Sequence, residues 1–118
     1  MKKTIIALGV LFSSAAFAQA NYVELKNDTL VIPSLNLTVD QVEDLHVYDA
    51  NGVEVGDVED VLGTDATAAT AVSVDAEKYL GVKSEDVVFT LEELRLEGGR
   101  LVTTLSKDEI NKLPRHRD

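Results

Sequence analysis

The pair Asn51-Gly52 lies between two short apolar runs, and it constrains the fold more than any other feature of the chain. Both residues tolerate the positive backbone φ angle of a tight hairpin turn, so the flanking runs are predicted to pair as antiparallel strands. Further along, Glu97-Gly98-Gly99 separates two runs of alternating apolar residues and predicts a second hairpin. These two turns indicate a fold built mainly from an antiparallel sheet.

Alternating apolar residues continue in the runs that begin at Thr67 and Val87, which favours further strands. Gly56 interrupts the alternation of the valines around it and predicts a β-bulge of the kind that bends a sheet into a small barrel. Residues 38–41 and 106–109 each fit a capping box, in which a hydroxyl caps a helix and a later side chain reaches back. The sequence therefore predicts an all-β, mainly antiparallel fold of about six strands with one or two short helices.

The first 20 residues have the pattern of an export signal. Lys2 and Lys3 precede an apolar run over residues 5–12, and small residues follow as far as Ala20. The apolar stretch is shorter than the roughly 20 residues that a bilayer-spanning helix needs. We therefore predict a signal peptide over residues 1–20, cleaved after Ala18 or Ala20, and a periplasmic or secreted mature protein.

The rest of the chain is strongly acidic and has no cysteine. Loss of Lys2 and Lys3 changes the formal charge from −10 to −12 over the remaining 98 residues, which is enough chain for one domain. Such a charge repels nucleic acids and anionic membrane surfaces, because binding to phosphate depends on Lys and Arg. With no disulfide, the hydrophobic core alone has to stabilise the domain. We expect an unidentified protein partner rather than a polyanion.

Residues 21–37 are predicted to form an N-terminal extension with a possible edge strand, because Pro33 stops any longer regular element. Residues 38–116 are predicted to form the domain itself. The extension contains a stretch, from Tyr22 to Ile32, whose edge a second copy of the chain could pair with. Self-association is therefore one form that the expected protein partner could take.

Nucleophilic catalysis requires a Ser, Thr or Cys beside a base, and the chain has only two histidines to serve as that base. His46 begins a predicted strand, where alternation places it opposite its apolar neighbours. His116 lies in the C-terminal tail, which is expected to be disordered. Neither pattern places a base beside a nucleophile, so no catalytic residue is assigned. A hydrolase is the least favoured function.

Oxygen-bearing side chains crowd the first hairpin and raise divalent-cation binding as an alternative function. These residues are Asp49, Asn51, Glu54, Asp57 and Asp60. Calcium requires about six to eight oxygens, but placing Gly52 on the glycine of an EF-hand loop puts Val47 at the first ligand position. Strand alternation also sends neighbouring carboxylates to opposite faces. We therefore predict a solvated hairpin with no metal and no cofactor, and keep a divalent-cation or envelope-stress role as the alternative.

Four segments, in order along the chain, resemble motifs of the PRC-barrel family. The segments are residues 47–62, 79–83, 87–91 and 106–114. In the first, Asp49 and Gly52 stand at the aspartate and glycine of the family's Asp-x-x-Gly motif. The chain departs from the family at Glu77-Lys78, where a Gly-Gly pair is usual, and at Thr90, where a proline is usual.

The resemblance implies a small PRC-type β-barrel. That fold occurs in the cytoplasmic part of the H subunit of photosynthetic reaction centres and in the C-terminal domain of the ribosome maturation factor. In both settings the module serves interaction and assembly without catalytic residues of its own. The leading hypothesis is therefore an exported, non-enzymatic binding or scaffolding module in the bacterial envelope. Its first candidate contact residues are Tyr79, Leu80 and Val82, which adjoin a glycine.

Overall fold

The computed structural model describes residues 21–117, and the predicted signal peptide lies outside the described residues. Ten strands are present in this range: β1 Val23–Glu24, β2 Val31–Ile32, β3 Leu37–Thr38, β4 His46–Tyr48, β5 Glu54–Gly63, β6 Ala71–Asp75, β7 Asp86–Thr90, β8 Arg95–Glu97, β9 Arg100–Val102 and β10 Arg115–His116. Three short α-helices accompany them: α1 Val39–Glu43, α2 Glu77–Leu80 and α3 Lys107–Asn111. A 3-10 helix spans Leu91–Glu93.

Eight of the strands form one sheet in the described part of the chain. Its order is β10-β7-β6-β5-β4-β9-β8, with β1 also paired to β5, and β2 pairs with β3 in a separate hairpin. Every pair is antiparallel except β4 with β9. The mainly antiparallel β fold with short helices is confirmed. The structure has more strands than the six or so predicted, because several of its strands are only two or three residues long. Within residues 21–117 the end strands β10 and β8 do not pair, so the sheet is not a closed barrel.

Both predicted hairpins are present, but their turns differ. Gly98 and Gly99 join β8 to β9, and both have positive φ angles, of 59° and 81°. In the β4–β5 hairpin only Gly52 has a positive φ, of 82°, and the Asp49 amide donates to the Val53 carbonyl. This turn is longer than a two-residue turn, because the Asp49 carboxylate also accepts hydrogen bonds from amides inside the loop.

The bulge predicted at Gly56 is not at that residue; instead, β5 has two bulges, one before Gly56 and one after it. β5 has one extra residue, Val55, against β4 and another, Glu59, against β6. Gly56 is required for a different reason, since a Cβ at this position would lie 1.8 Å from the carbonyl oxygen of Asp75 on β6. The two irregularities divide β5, so that its first half pairs with β4 and its last residues pair with β1.

Both predicted capping boxes are confirmed. The Thr38 hydroxyl accepts from the Gln41 amide at 3.2 Å, and the Gln41 side chain accepts from the Thr38 amide at 2.9 Å. Ser106 and Glu109 exchange the same two hydrogen bonds, at 3.1 and 2.8 Å. These bonds satisfy backbone donors that the first turn of each helix leaves free. Between residues 21 and 117, no helix combines the length and apolarity that a bilayer crossing demands.

The main hydrophobic core lies against one face of β5, β6 and β7, with Phe89 as its largest fully buried side chain. The segment predicted as an N-terminal extension contributes three buried side chains to it, Leu25, Ile32 and Leu35. The opposite face of the same strands has a second, smaller cluster, which Tyr22 covers. Its buried members are Leu62, Ala71 and Val88.

Candidate functional site

The tip of the β4–β5 hairpin is tied to helix α2 by one side-chain pair. Tyr79 donates its hydroxyl to Asp49 Oδ2 at 2.9 Å, while Asp49 Oδ1 accepts from the amides of Asn51 and Val53, each at 2.9 Å. Burial raises the pKa of Asp49, but these three hydrogen bonds outweigh it and hold the pKa below its ordinary value. Burial, together with the Asp49 carboxylate, raises the pKa of Tyr79. The β4–β5 turn and helix α2 are therefore held side by side and form one surface.

The turn that follows α2 contains the three predicted contact residues, and they differ in exposure. Tyr79 and Leu80 are half-buried and pack against the main core. Val82 is 53% exposed and follows Gly81, which ends the helix with a positive φ. The Lys107 ammonium lies 5.3 Å from the centre of the Tyr79 ring. Only Val82 among the three presents most of its side chain to solvent.

A groove runs beside this turn, between the first half of β5 and the start of α2. Its lining residues are Glu54, Val55, Gly56, Asp57, Asp75, Glu77 and Lys78. Four of them are carboxylates and one is an ammonium, so the groove is acidic. Asp57 and Asp75 are direct cross-strand partners on β5 and β6. Like charges placed directly opposite in an antiparallel pair repel one another.

His46 is an exposed strand residue, as alternation predicted, and it contacts two of the carboxylates that line the groove. Its Nδ1 is 2.7 Å from Glu54 Oε2 and 3.1 Å from Asp57 Oδ1. The hydrogen bond to Glu54 raises the pKa of His46 above 6.5, burial opposes this, and the charges of Asp57 and Glu54 add to the rise. The imidazolium form therefore neutralises part of the charge of the groove at mildly acidic pH.

We expect an NMR titration to place the pKa of His46 above 6.5, and Glu54→Gln to return it toward that value. Because the folded-state pKa is the higher one, the pair contributes stability that is present below pH 6.5 and lost as pH rises through the folded-state pKa. The side chains are about half exposed, so this contribution is at most about 1 kcal/mol. A His46 pKa below 6.5 would contradict the ion pair.

The hairpin residues named as an alternative cation site do not converge on one point. Asp49 and Asn51 form the turn, and Glu54 and Asp57 contact His46. Asp60 lies elsewhere, with Glu24 and His116.

His116 is not in a disordered tail, because β10 pairs with β7 and places it against Glu24. The short polar tail gave no signal of this pairing. Asp75 and Glu77 were missed as site residues because their position in the groove depends on strand register.

The sheet, its two hairpins and the short capped helices define a small β-domain module. The model of the PRC-barrel domain family matches residues 36–110. The chain therefore belongs to the PRC-barrel family, as the ordered motifs predicted. A comparison with curated proteins finds no significant match.

Proposed function

We propose that the chain is an exported, non-enzymatic binding module of the bacterial envelope, and that its acidic groove binds a positively charged segment of a partner protein. The observation that carries the proposal is the cross-strand pair of Asp57 and Asp75 in a groove that also contains Glu54 and Glu77. Repulsion between these two carboxylates lowers the stability of the isolated domain. A cationic group of a partner that lies between them removes this repulsion and is attracted to both.

The neighbouring turn supplies the apolar part of this contact. Val82 and Val53 are both about half exposed, and the bond between Tyr79 and Asp49 fixes their two loops relative to one another. Rigid apolar groups beside complementary charge are typical of protein contact surfaces. A second copy of this chain is a poorer partner for the groove, because residues 21–118, which remain after cleavage of the signal peptide after Ala20, have a formal charge of −12.

Asp75→Asn is expected to raise the stability of the domain and to weaken partner binding. The variant removes the repulsion with Asp57, worth about 0.2–1 kcal/mol, and keeps the oxygen that accepts from the Glu77 amide. The partner is isolated by affinity capture with the wild-type protein from envelope extract of the producing bacterium. Its affinity for both proteins is then measured at low and high salt, and we expect weaker binding by the variant and in high salt.

Glu92→Gln is the matched control, since it removes one exposed carboxylate that lies outside the groove. We expect this control to change neither stability nor affinity. Equal affinity of wild type and Asp75→Asn for the captured partner would contradict the groove as the contact site. Failure of the wild type to capture any partner would contradict the binding function itself.

The export part of the proposal rests on the charged, apolar and small-residue order of residues 1–20. It is tested by N-terminal sequencing of the protein from the producing cell. A start at Asn21 or at Gln19 supports export, and a start at Met1 overturns it.

A further inference from the structure

Three potential metal ligands from distant parts of the sequence meet on one face of the sheet. They are Glu24 on β1, Asp60 on β5 and His116 on β10, and one ligand atom of each lies within 4.8 Å of the others. All three are partly buried, and the His116 side chain is only 14% exposed. The group around His46, in contrast, is fully on the surface of a single hairpin.

The meeting of Glu24 and His116 requires a strongly curled sheet. Strands β5, β6 and β7 separate β1 from β10 in the hydrogen-bonded order. At about 4.8 Å per step, a flat sheet would hold β1 and β10 about 19 Å apart. The two side chains nevertheless approach to 3.4 Å. The curl therefore brings the first and last described strands together, although no strand pairing joins them in residues 21–117.

Strand register places the three ligands on the same face. Glu24 is the direct partner of Leu62, and Asp60 lies two residues before Leu62 on β5. His116 is the direct partner of Asp86, which lies two residues before Val88 on β7. Direct partners and residues two apart share a face of a sheet. That face also has the smaller buried cluster, so the three side chains meet beside an apolar patch.

His116 Nε2 and Glu24 Oε2 form a long hydrogen bond of 3.4 Å, and that separation is also the one expected between two ligands of a single metal ion. N–H···O hydrogen bonds cluster at about 2.9–3.0 Å. Two ligands that each lie about 2.0–2.1 Å from a tetrahedral zinc ion are about 3.4 Å apart. One imidazole nitrogen and two carboxylate oxygens are ligands that zinc accepts, with water in the fourth position.

We propose that Glu24, Asp60 and His116 bind one divalent transition-metal ion of the zinc class, which clamps β1 to β10. An imidazole in the set favours such an ion over calcium, which requires about six to eight oxygens. The Lys26 ammonium lies 3.5 Å from Glu24 but is mostly exposed, so it can turn into solvent when the ion binds. Within residues 21–117, the side chains of this site connect β1 and β10, which are not paired through their backbones. The site is separate from the acidic groove.

Calorimetric titration of the chelator-treated protein with zinc chloride tests the proposal. We expect one ion per chain, and a rise in Tm of at least about 5 °C at a hundredfold excess over Kd. Cobalt chloride in its place is expected to give the visible absorption of tetrahedral coordination. His116→Gln and Asp60→Asn are each expected to weaken zinc binding at least about tenfold, since each removes a ligand.

The matched control is His46→Gln, which removes the other histidine of the chain and is expected to leave zinc affinity within about twofold. Three outcomes each overturn the proposal: no saturable zinc binding, loss of binding in His46→Gln but not in His116→Gln, or an equal rise in Tm with calcium.

Discussion

Gly56→Ala is expected to destabilise the domain by about 3 kcal/mol or more, one of the largest effects of any single substitution. The added Cβ would lie 1.8 Å from the carbonyl oxygen of Asp75 and 2.8 Å from its carbonyl carbon. Both contacts are with backbone, so no side-chain movement can relieve them, and β5 would have to separate from β6. These strands are the centre of the sheet. Urea denaturation followed by circular dichroism measures the change.

Gly52→Ala is the control for this prediction. Gly52 has a positive φ of 82° but open space around its Cα, so the substitution adds backbone strain without a clash. We expect this control to cost only about 1–2 kcal/mol. Equal stability losses in the two variants would show that the close approach of β5 to β6 is not what requires a glycine at position 56.

Phe89→Ala is the second large effect, with an expected loss of about 3–5 kcal/mol. Among residues 21–117, Phe89 is the largest fully buried side chain, at 0% exposure, and it lies on β7 in the main core. The chain has no cysteine, so no disulfide compensates for a cavity in this core. The control is Val82→Ala, which removes apolar atoms from an exposed position and is expected to change stability by less than about 0.5 kcal/mol. A loss below about 1.5 kcal/mol in Phe89→Ala would mean that the core repacks around the gap.

The parts of the fold that depend on neighbouring residues follow directly from the sequence. The capping boxes at Thr38 and Ser106 involve residues three apart, and the hairpin turns at Gly52 and Gly98 involve residues two to four apart. Local hydrogen bonding and backbone preference decide such features. Even here the type of the first turn was wrong, because the Asp49 side chain competes for the loop amides.

The parts of the site that depend on register and curvature could not be derived in this way. The pairing of Asp57 with Asp75 depends on a bulge between residues 58 and 60, and the bulge was predicted at Gly56 instead. The contact of Glu24 with His116 depends on the curl of a sheet through intervening strands. Sequence spacing contains no signal for either, so the groove and the proposed metal ligands emerge only from the tertiary structure.

The parallel pair of β4 and β9 has a consequence for folding kinetics. Val47 and Leu101 are partners in this pair, although they belong to different hairpins at opposite ends of the domain sequence. Each hairpin closes a short loop and can form within about 1–10 μs, whereas β4 can meet β9 only after a long loop closes at a greater cost in chain entropy. We therefore expect the two hairpins to form first and dock late, with slow protection of the Thr103 amide, which donates to the Tyr48 carbonyl, in pulsed hydrogen exchange.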